Sequence, residues 1–257
     1  ALRLRLRQTL AVLEDRLRAL LRQMGTQATR HAETVMPART YGQHATATSW
    51  GAVLAQWGMP LADMVERLPA LRAGALWVSL SGAAGTASAL GHDAPATRAA
   101  LAKALNLTDP GRSWHTDRGP VLRISNWMAD VVATLAAMGQ SLIGLSGSDT
   151  GEIQLNGAGG SSTMPQKHNP VAPSVLVALN NQMGGLRSTL QAASTHQHQR
   201  DGAAWFTEWM VLPQVALCAA AATETAHALM QQVTPLPDRM AANAGGLGLL
   251  PAEALSF

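Results

Sequence analysis

The run Gly159-Gly160-Ser161-Ser162-Thr163-Met164-Pro165-Gln166-Lys167-His168-Asn169-Pro170 concentrates the groups in this chain that can do chemistry. Its two leading glycines free the backbone to bend. Ser161 and Ser162 supply hydroxyls, Lys167 a fixed positive charge, and Asn169 an amide that both donates and accepts. The apolar-periodic stretch after Pro170 predicts a helix, so the run stands at a helix entrance, where free backbone N–H groups favour anions. Such a loop suits proton transfer on a carbon next to a carboxylate. By composition alone it would also serve as a plain Gly/Ser/Pro connector between two helices.

The elements around this run are long helices. Leu6, Leu10, Leu13, Leu17, Leu20, Leu21 and Met24 recur at spacings of three and four, which predicts a first helix over residues 2–34. Met36-Pro37 and Tyr41-Gly42 break it. Helices are expected over residues 44–67, from Leu68-Pro69 to about 90, 94–105, 121–144, 170–193 and 203–231, with a polar loop over 108–118. No alternating strand pattern of useful length is visible, and no internal repeat. The expected fold class is all-α, a bundle of helices much longer than three turns. Residues 1–234 would form its central domain and 235–257 the start of a further helical domain.

Composition narrows the function classes. Ala and Leu dominate, favouring helix over sheet. The single cysteine, Cys218, sits in an apolar run and reads as a buried small hydrophobe, which leaves no disulfide framework or cysteine metal site. The formal charge of +3 is a mild excess, suited to anionic small molecules. Arg3, Arg5 and Arg7 form the one basic cluster and read as a solvated helix face, without the dense stripe of a nucleic-acid binder. No apolar run reads as long and clean enough to span a bilayer, and there is no signal-peptide pattern. The expectation is a cytoplasmic enzyme with no nucleic-acid or membrane partner.

The serine run matches every defined position of G-S-S-x-M-P-x-K-x-N-P, the signature of the fumarase/aspartase superfamily, which the chain resembles. Upstream, Thr40-Tyr41-Gly42-Gln43-His44-Ala45-Thr46 is similar to that superfamily's T-H-x-Q-x-A-x-P block, in the right order relative to the serine loop. The resemblance implies a cofactor-free enzyme without a metal, assembled as a homotetrameric helical core whose active sites are shared between subunits. It also implies Ser161 as the catalytic group that moves a carbon-bound proton, with Lys167 and Asn169 holding and polarising the substrate carboxylate. Thr40, Gln43, His44, Ser162 and Met164 would line the substrate. A further block, S/T-S-x-D, ordinarily precedes the first long helix. It is not seen here, so the chain is expected to be part of a longer protein.

The departures carry information. Tyr41 stands where the superfamily has His, and Ser174 stands where many members have the Glu that orients that His. Ala47 replaces the block's Pro. Losing both members of the His–Glu pair is coherent, because a buried Glu left alone is costly. Lyases that expel water, ammonia or amines benefit from a general acid. The 3-carboxy-cis,cis-muconate cycloisomerase branch instead adds a substrate carboxylate, with a pKa of about 4, across its own double bond. That group attacks without a base and leaves without an acid. Ser113-Trp114-His115-Thr116-Asp117-Arg118 is similar to a W-H-T-x-R segment of this branch. The segment from Arg200 to Pro213 is similar to its R-x-x-x-x-W-x-x-E-W-x-x-L-P.

The implied substrate is a small tricarboxylate, with His115, Arg118 and Arg200 as further binding residues. Arg200 beside Trp205 and Glu208 suits a bidentate grip on a carboxylate. His115 reads equally well as a capping or core histidine, and Trp114, Trp205 and Trp209 as packing. His196 and His198 have no partner cluster that would make them metal ligands. Glu152 reads as a cap or surface residue. A C–N or C–O lyase of the same superfamily, of the adenylosuccinate or argininosuccinate type, is the alternative. A catalytically inactive structural homologue is a third reading, opposed by the intact Ser161, Lys167 and Asn169.

Overall fold

A computed structural model describes residues 1–157, 159–160, 164 and 167–245. It is mostly helical. Its elements are α1 (Leu2–Arg30), β1 (Val35–Thr40), β2 (Gln43–Ser49), α2 (Trp50–Glu66), α3 (Leu68–Ala75), α4 (Ala94–Leu105), α5 (Gly119–Leu145), β3 (Ile153–Leu155), α6 (Val171–Ala192), α7 (Gly202–Gln232), β4 (Val233–Pro235) and α8 (Pro237–Gly245). The three/four apolar spacing therefore located α1, α5, α6 and α7 to within a few residues. The chain divides into two compact units, and α1, α2, α5, α6 and α7 contribute to both.

The first unit holds residues 1–15, 63–133 and 179–221. Leu6, Leu10 and Leu13 of α1, and Val121, Ile124, Met128 and Val131 of α5, are almost fully buried there. The helix expected from Leu68 to about 90 stops at Ala75. Beyond it the chain is irregular, apart from a 3-10 turn over Ser88–Asp93. The small residues from Ser79 to Gly85 explain this, because glycine-rich backbone costs entropy in a helix and offers no side chain to pack. Polar ties replace helical ones. Trp114 Nε1 donates to the Val78 carbonyl at 2.7 Å, and Arg123 Nε and Nη2 donate to the Gly74 carbonyl at 3.0 and 2.6 Å. The solvated-face reading of the N-terminal arginines fails twice. Arg7 Nη1 donates to the Leu105 and Asn106 carbonyls at the end of α4, and Arg3 is buried.

The second unit holds residues 16–62, 134–178 and 222–257. Two antiparallel strand pairings appear where no strand was expected: the β1–β2 hairpin, and β3 with β4. The β1–β2 register runs from Val35 opposite Ser49 to Thr40 opposite Gln43. Tyr41 and Gly42 form the turn, with φ of 53° and 75°. Positive φ at both central residues gives a twist that suits a two-residue hairpin. The helix expected from His44 therefore begins only at Trp50. Glu152 is not a surface residue. It is fully buried, accepts from Arg39 Nη1 and Nη2 at 2.9 and 2.6 Å, and accepts from Asn243 Nδ2 at 2.8 Å. It thus ties β1 and α8 to the strand that leads into the serine loop.

By length and composition α5 is apolar enough to cross a bilayer, contrary to the sequence reading. More than half of its apolar window is buried within the protein, as in a core helix.

Candidate active site

The serine loop follows β3 and precedes α6, within the second unit. Asn156 N–H donates to the Gln232 carbonyl at 2.9 Å, and its Nδ2 donates to Thr234 Oγ1 at 2.8 Å, which anchors the outgoing strand. The returning strand is closed by Asn169 N–H donating to the Gly159 carbonyl at 2.9 Å and by the antiparallel pairing of Gly160 with His168. Gly159 has a φ of 136°, and a Cβ there would collide with the backbone oxygen of Asn169. Only glycine permits this approach. Lys167 N–H donates to the Met164 carbonyl at 2.9 Å. Lys167 and Asn169 are exposed and line one cavity of about 510 Å³, so the structure brings these two together beside the start of α6. Ser161 and Ser162 lie outside the described residues.

Thr40, Gln43 and His44 are exposed at the end of the β1–β2 hairpin. Arg39 Nη2 approaches His44 Nε2 at 3.2 Å. A guanidinium has no acceptor, so in this contact Nε2 is the acceptor. Tyr41 projects from the turn fully exposed. Ser174, at the place of the missing Glu, donates its hydroxyl to the Pro170 carbonyl at 2.7 Å. Gly42 and Arg39 line a cavity of about 470 Å³, distinct from that of Lys167 and Asn169.

The first unit gathers His115, Arg118 and Arg200 around a third cavity, of about 380 Å³. Arg118 is committed to a partner. Its Nε and Nη2 donate to the two oxygens of the buried Glu208 at 2.7 and 2.6 Å, a bidentate pair that ties the residue before α5 to α7. Arg200 lies over Trp205 with Cζ 4.1 Å from the ring centre, and its Nη2 stands 3.5 Å from His115 Nε2. The lone pair of His115 Nε2 therefore faces Arg200, and Nδ1, 3.4 Å from Ser81 Oγ, carries the proton. Trp114 is buried as expected, but Trp209 is more than half exposed. Sequence reasoning read Arg3 as a solvated surface residue and Glu208 only as a neighbour of Arg200, and gave Ser81 no part in a site, yet all three line this cavity. The signal for Arg3 was available: position 3 continues the stripe of Leu6, Leu10 and Leu13.

Partial burial and then the charge of Arg200 hold the His115 imidazole below its ordinary value of 6.5, against a hydrogen bond to the Ala83 backbone. The folded protein thus takes up this proton at lower pH than the unfolded chain. The stability contributed by neutral His115 is complete above pH 6.5 and is lost as pH falls from 6.5 through the folded value. Melting temperatures measured from pH 8 to 5 should therefore fall more steeply for the wild type than for His115→Gln. Parallel curves would show that His115 is not held neutral in this way.

The profile of the family described as Lyase matches residues 1–185. The chain belongs to this lyase family, within the fumarase/aspartase superfamily. It is 38% identical to 3-carboxy-cis,cis-muconate cycloisomerase of Pseudomonas aeruginosa, a match covering 99% of this chain and 56% of that protein. To the cycloisomerase of Pseudomonas putida it is 35% identical, covering 99% of this chain and 61% of that one. Its fold matches the crystal structure of 3-carboxy-cis,cis-muconate lactonizing enzyme from Pseudomonas putida with a TM-score of 0.92, at 35% identity, over 99% of this chain and 58% of that one. The chain spans little more than half the length of these relatives.

Proposed function

We propose that the protein is a 3-carboxy-cis,cis-muconate cycloisomerase, forming 4-carboxymuconolactone in protocatechuate catabolism. The observation that carries this reading is the pairing of a complete serine-loop signature with a loss of the His–Glu pair. Tyr41 occupies the exposed hairpin turn, and Ser174 spends its hydroxyl on a backbone carbonyl. Similarity to cycloisomerases along nearly the whole chain supports it independently.

In the lactone-forming direction a substrate carboxylate oxygen bonds to one carbon of the double bond. The π electrons move to the neighbouring carbon, next to a second carboxylate, and that carbon receives a proton. Ser161 delivers this proton, and in the reverse direction removes it. Lys167 and Asn169 hold the carboxylate that takes on enolate character, where a preorganised cation and amide act most strongly. Thr40, Gln43, His44, Ser162 and Met164 line the substrate, and His115 and Arg200 receive another carboxylate. Arg118, through Glu208, positions this wall. The reaction needs no cofactor or metal on this reading.

Lys167 and Asn169 line one cavity and His115 and Arg200 another, which fits active sites completed by neighbouring copies in a homotetramer. Phe206, Trp209, Met210 and Leu217 leave an apolar face of α7 exposed, and such a face suits burial against another copy.

Tyr41→Phe in the full-length protein tests this reading. A carboxylate nucleophile or leaving group needs no proton from that wall, so kcat should change by less than about tenfold. A loss of about a thousandfold, on the scale of a removed general acid–base group, would mean that Tyr41 replaces the missing His, and the C–N or C–O lyase reading would recover.

A further inference from the structure

Arg3 breaks the pattern of its own helix. The stripe that continues through Leu6, Leu10, Leu13, Leu17 and Leu20 calls for an apolar side chain at this position, and all five leucines are buried. Arg3 is buried with them, at 5% exposure, while its neighbour Leu2 is 38% exposed. A charge placed where the local pattern demands a hydrophobe marks a site whose cost is offset elsewhere.

None of the three guanidinium nitrogens of Arg3 has a hydrogen-bond partner among the described residues. The group is stacked on Trp114, with Cζ 4.2 Å from the ring centre. A cation–π contact offsets part of the desolvation but leaves five N–H donors unused. The nearby carboxylates are engaged: Glu208 with Arg118, and Asp117 with Arg112 at 2.7 Å. Burial, and then the charge of Arg118, push Arg3 down to about 9. The folded protein thus holds a cation under stress that an anion would relieve.

Arg3 lines the same cavity as His115 and Arg200. Among the described residues lining this cavity, Arg3, Arg118 and Arg200 stand against a single carboxylate, Glu208, whose two oxygens are both taken by Arg118. A buried charge without a partner is among the most destabilising features a fold can carry, whereas the same charge gripping a carboxylate is a strong recognition element.

We infer that Arg3 is a substrate-recognition residue, and that the cavity it shares with His115 and Arg200 binds a carboxylate group of a polycarboxylate. The inference rests on the proposed function for the identity of the ligand, but not for the existence of the subsite. Ser79 and Ser81 supply neutral donors in the same wall, and Trp114 and Trp205 form its apolar sides. Arg3 acts in binding and takes no part in proton transfer.

The test uses the full-length protein and propane-1,2,3-tricarboxylate, a non-reacting probe, with affinity measured by titration calorimetry. Arg3→Met keeps the volume and suits the apolar stripe. It should weaken the probe by about thirtyfold or more, the effect of truncating one partner of a buried charge pair. It should also raise the melting temperature of the unliganded protein, because an unpaired buried charge has gone. A merely structural arginine would give the opposite shift. If Arg3→Met does not fold, Arg3→Gln carries the same expectation for affinity. Binding within about threefold of wild type in either variant, or no binding by the wild type, overturns the inference. Arg3-dependent binding without turnover of 3-carboxymuconate removes the proposed function and leaves this subsite standing. Turnover with Arg3-independent binding removes the subsite alone.

Discussion

Ser161→Ala should lower turnover of 3-carboxymuconate by about a thousandfold or more, the scale of a lost acid–base group, while changing substrate affinity little. The hydroxyl acts when the proton moves, so its removal should reduce kcat and kcat/KM together. An isolated serine is a poor base at neutral pH. The reading therefore requires that the cation of Lys167, backbone donors and exclusion of water make its alkoxide accessible. Lys167 and Asn169 already share one cavity, and Gly159 closes the loop's base through its carbonyl to Asn169. Rapid-quench and steady-state kinetics on the same preparation would separate chemistry from binding. A variant retaining more than a tenth of wild-type kcat would remove Ser161 from the mechanism.

Glu152→Ala should destabilise the protein by about 3 kcal/mol, because it leaves Arg39, a part-buried cation, without its only carboxylate partner among the described residues. For a chain of this size that corresponds to a fall in melting temperature on the order of 10 °C. The carboxylate accepts from both terminal nitrogens of Arg39 and from Asn243, so its loss also frees β1 and α8 from the strand entering the serine loop. Thermal unfolding followed by circular dichroism would measure this. A shift below about 2 °C would show that water or another group satisfies Arg39 as well as Glu152 does.

The long helices were legible because their apolar residues repeat at the helical period over many turns. Leu6 to Leu20 of α1 and Val121 to Leu142 of α5 occupy the buried face that this spacing predicts. The β1–β2 hairpin was not legible. Gln43-His44-Ala45-Thr46-Ala47-Thr48 alternates between small and polar residues without an apolar face, and its exposure in the structure explains why. Its turn was read as a helix break, although Tyr41 and Gly42 mark it by their positive φ. The motif residues were found by type and spacing, whereas the groups that hold them in place were not. Arg39 and Glu152 are 113 positions apart and Arg118 and Glu208 are 90 apart. No local pattern connects such pairs. Arg3 was misread because a run of alternating arginines and leucines resembles a solvated face until packing decides which residues are buried.

The most direct test is to incubate the purified full-length protein with 3-carboxy-cis,cis-muconate and follow the product by NMR, alongside adenylosuccinate, argininosuccinate, and fumarate with ammonia. The account predicts 4-carboxymuconolactone from the first substrate and no turnover of the other three. Fumarate released from adenylosuccinate or argininosuccinate, with the muconate left unchanged, would contradict it.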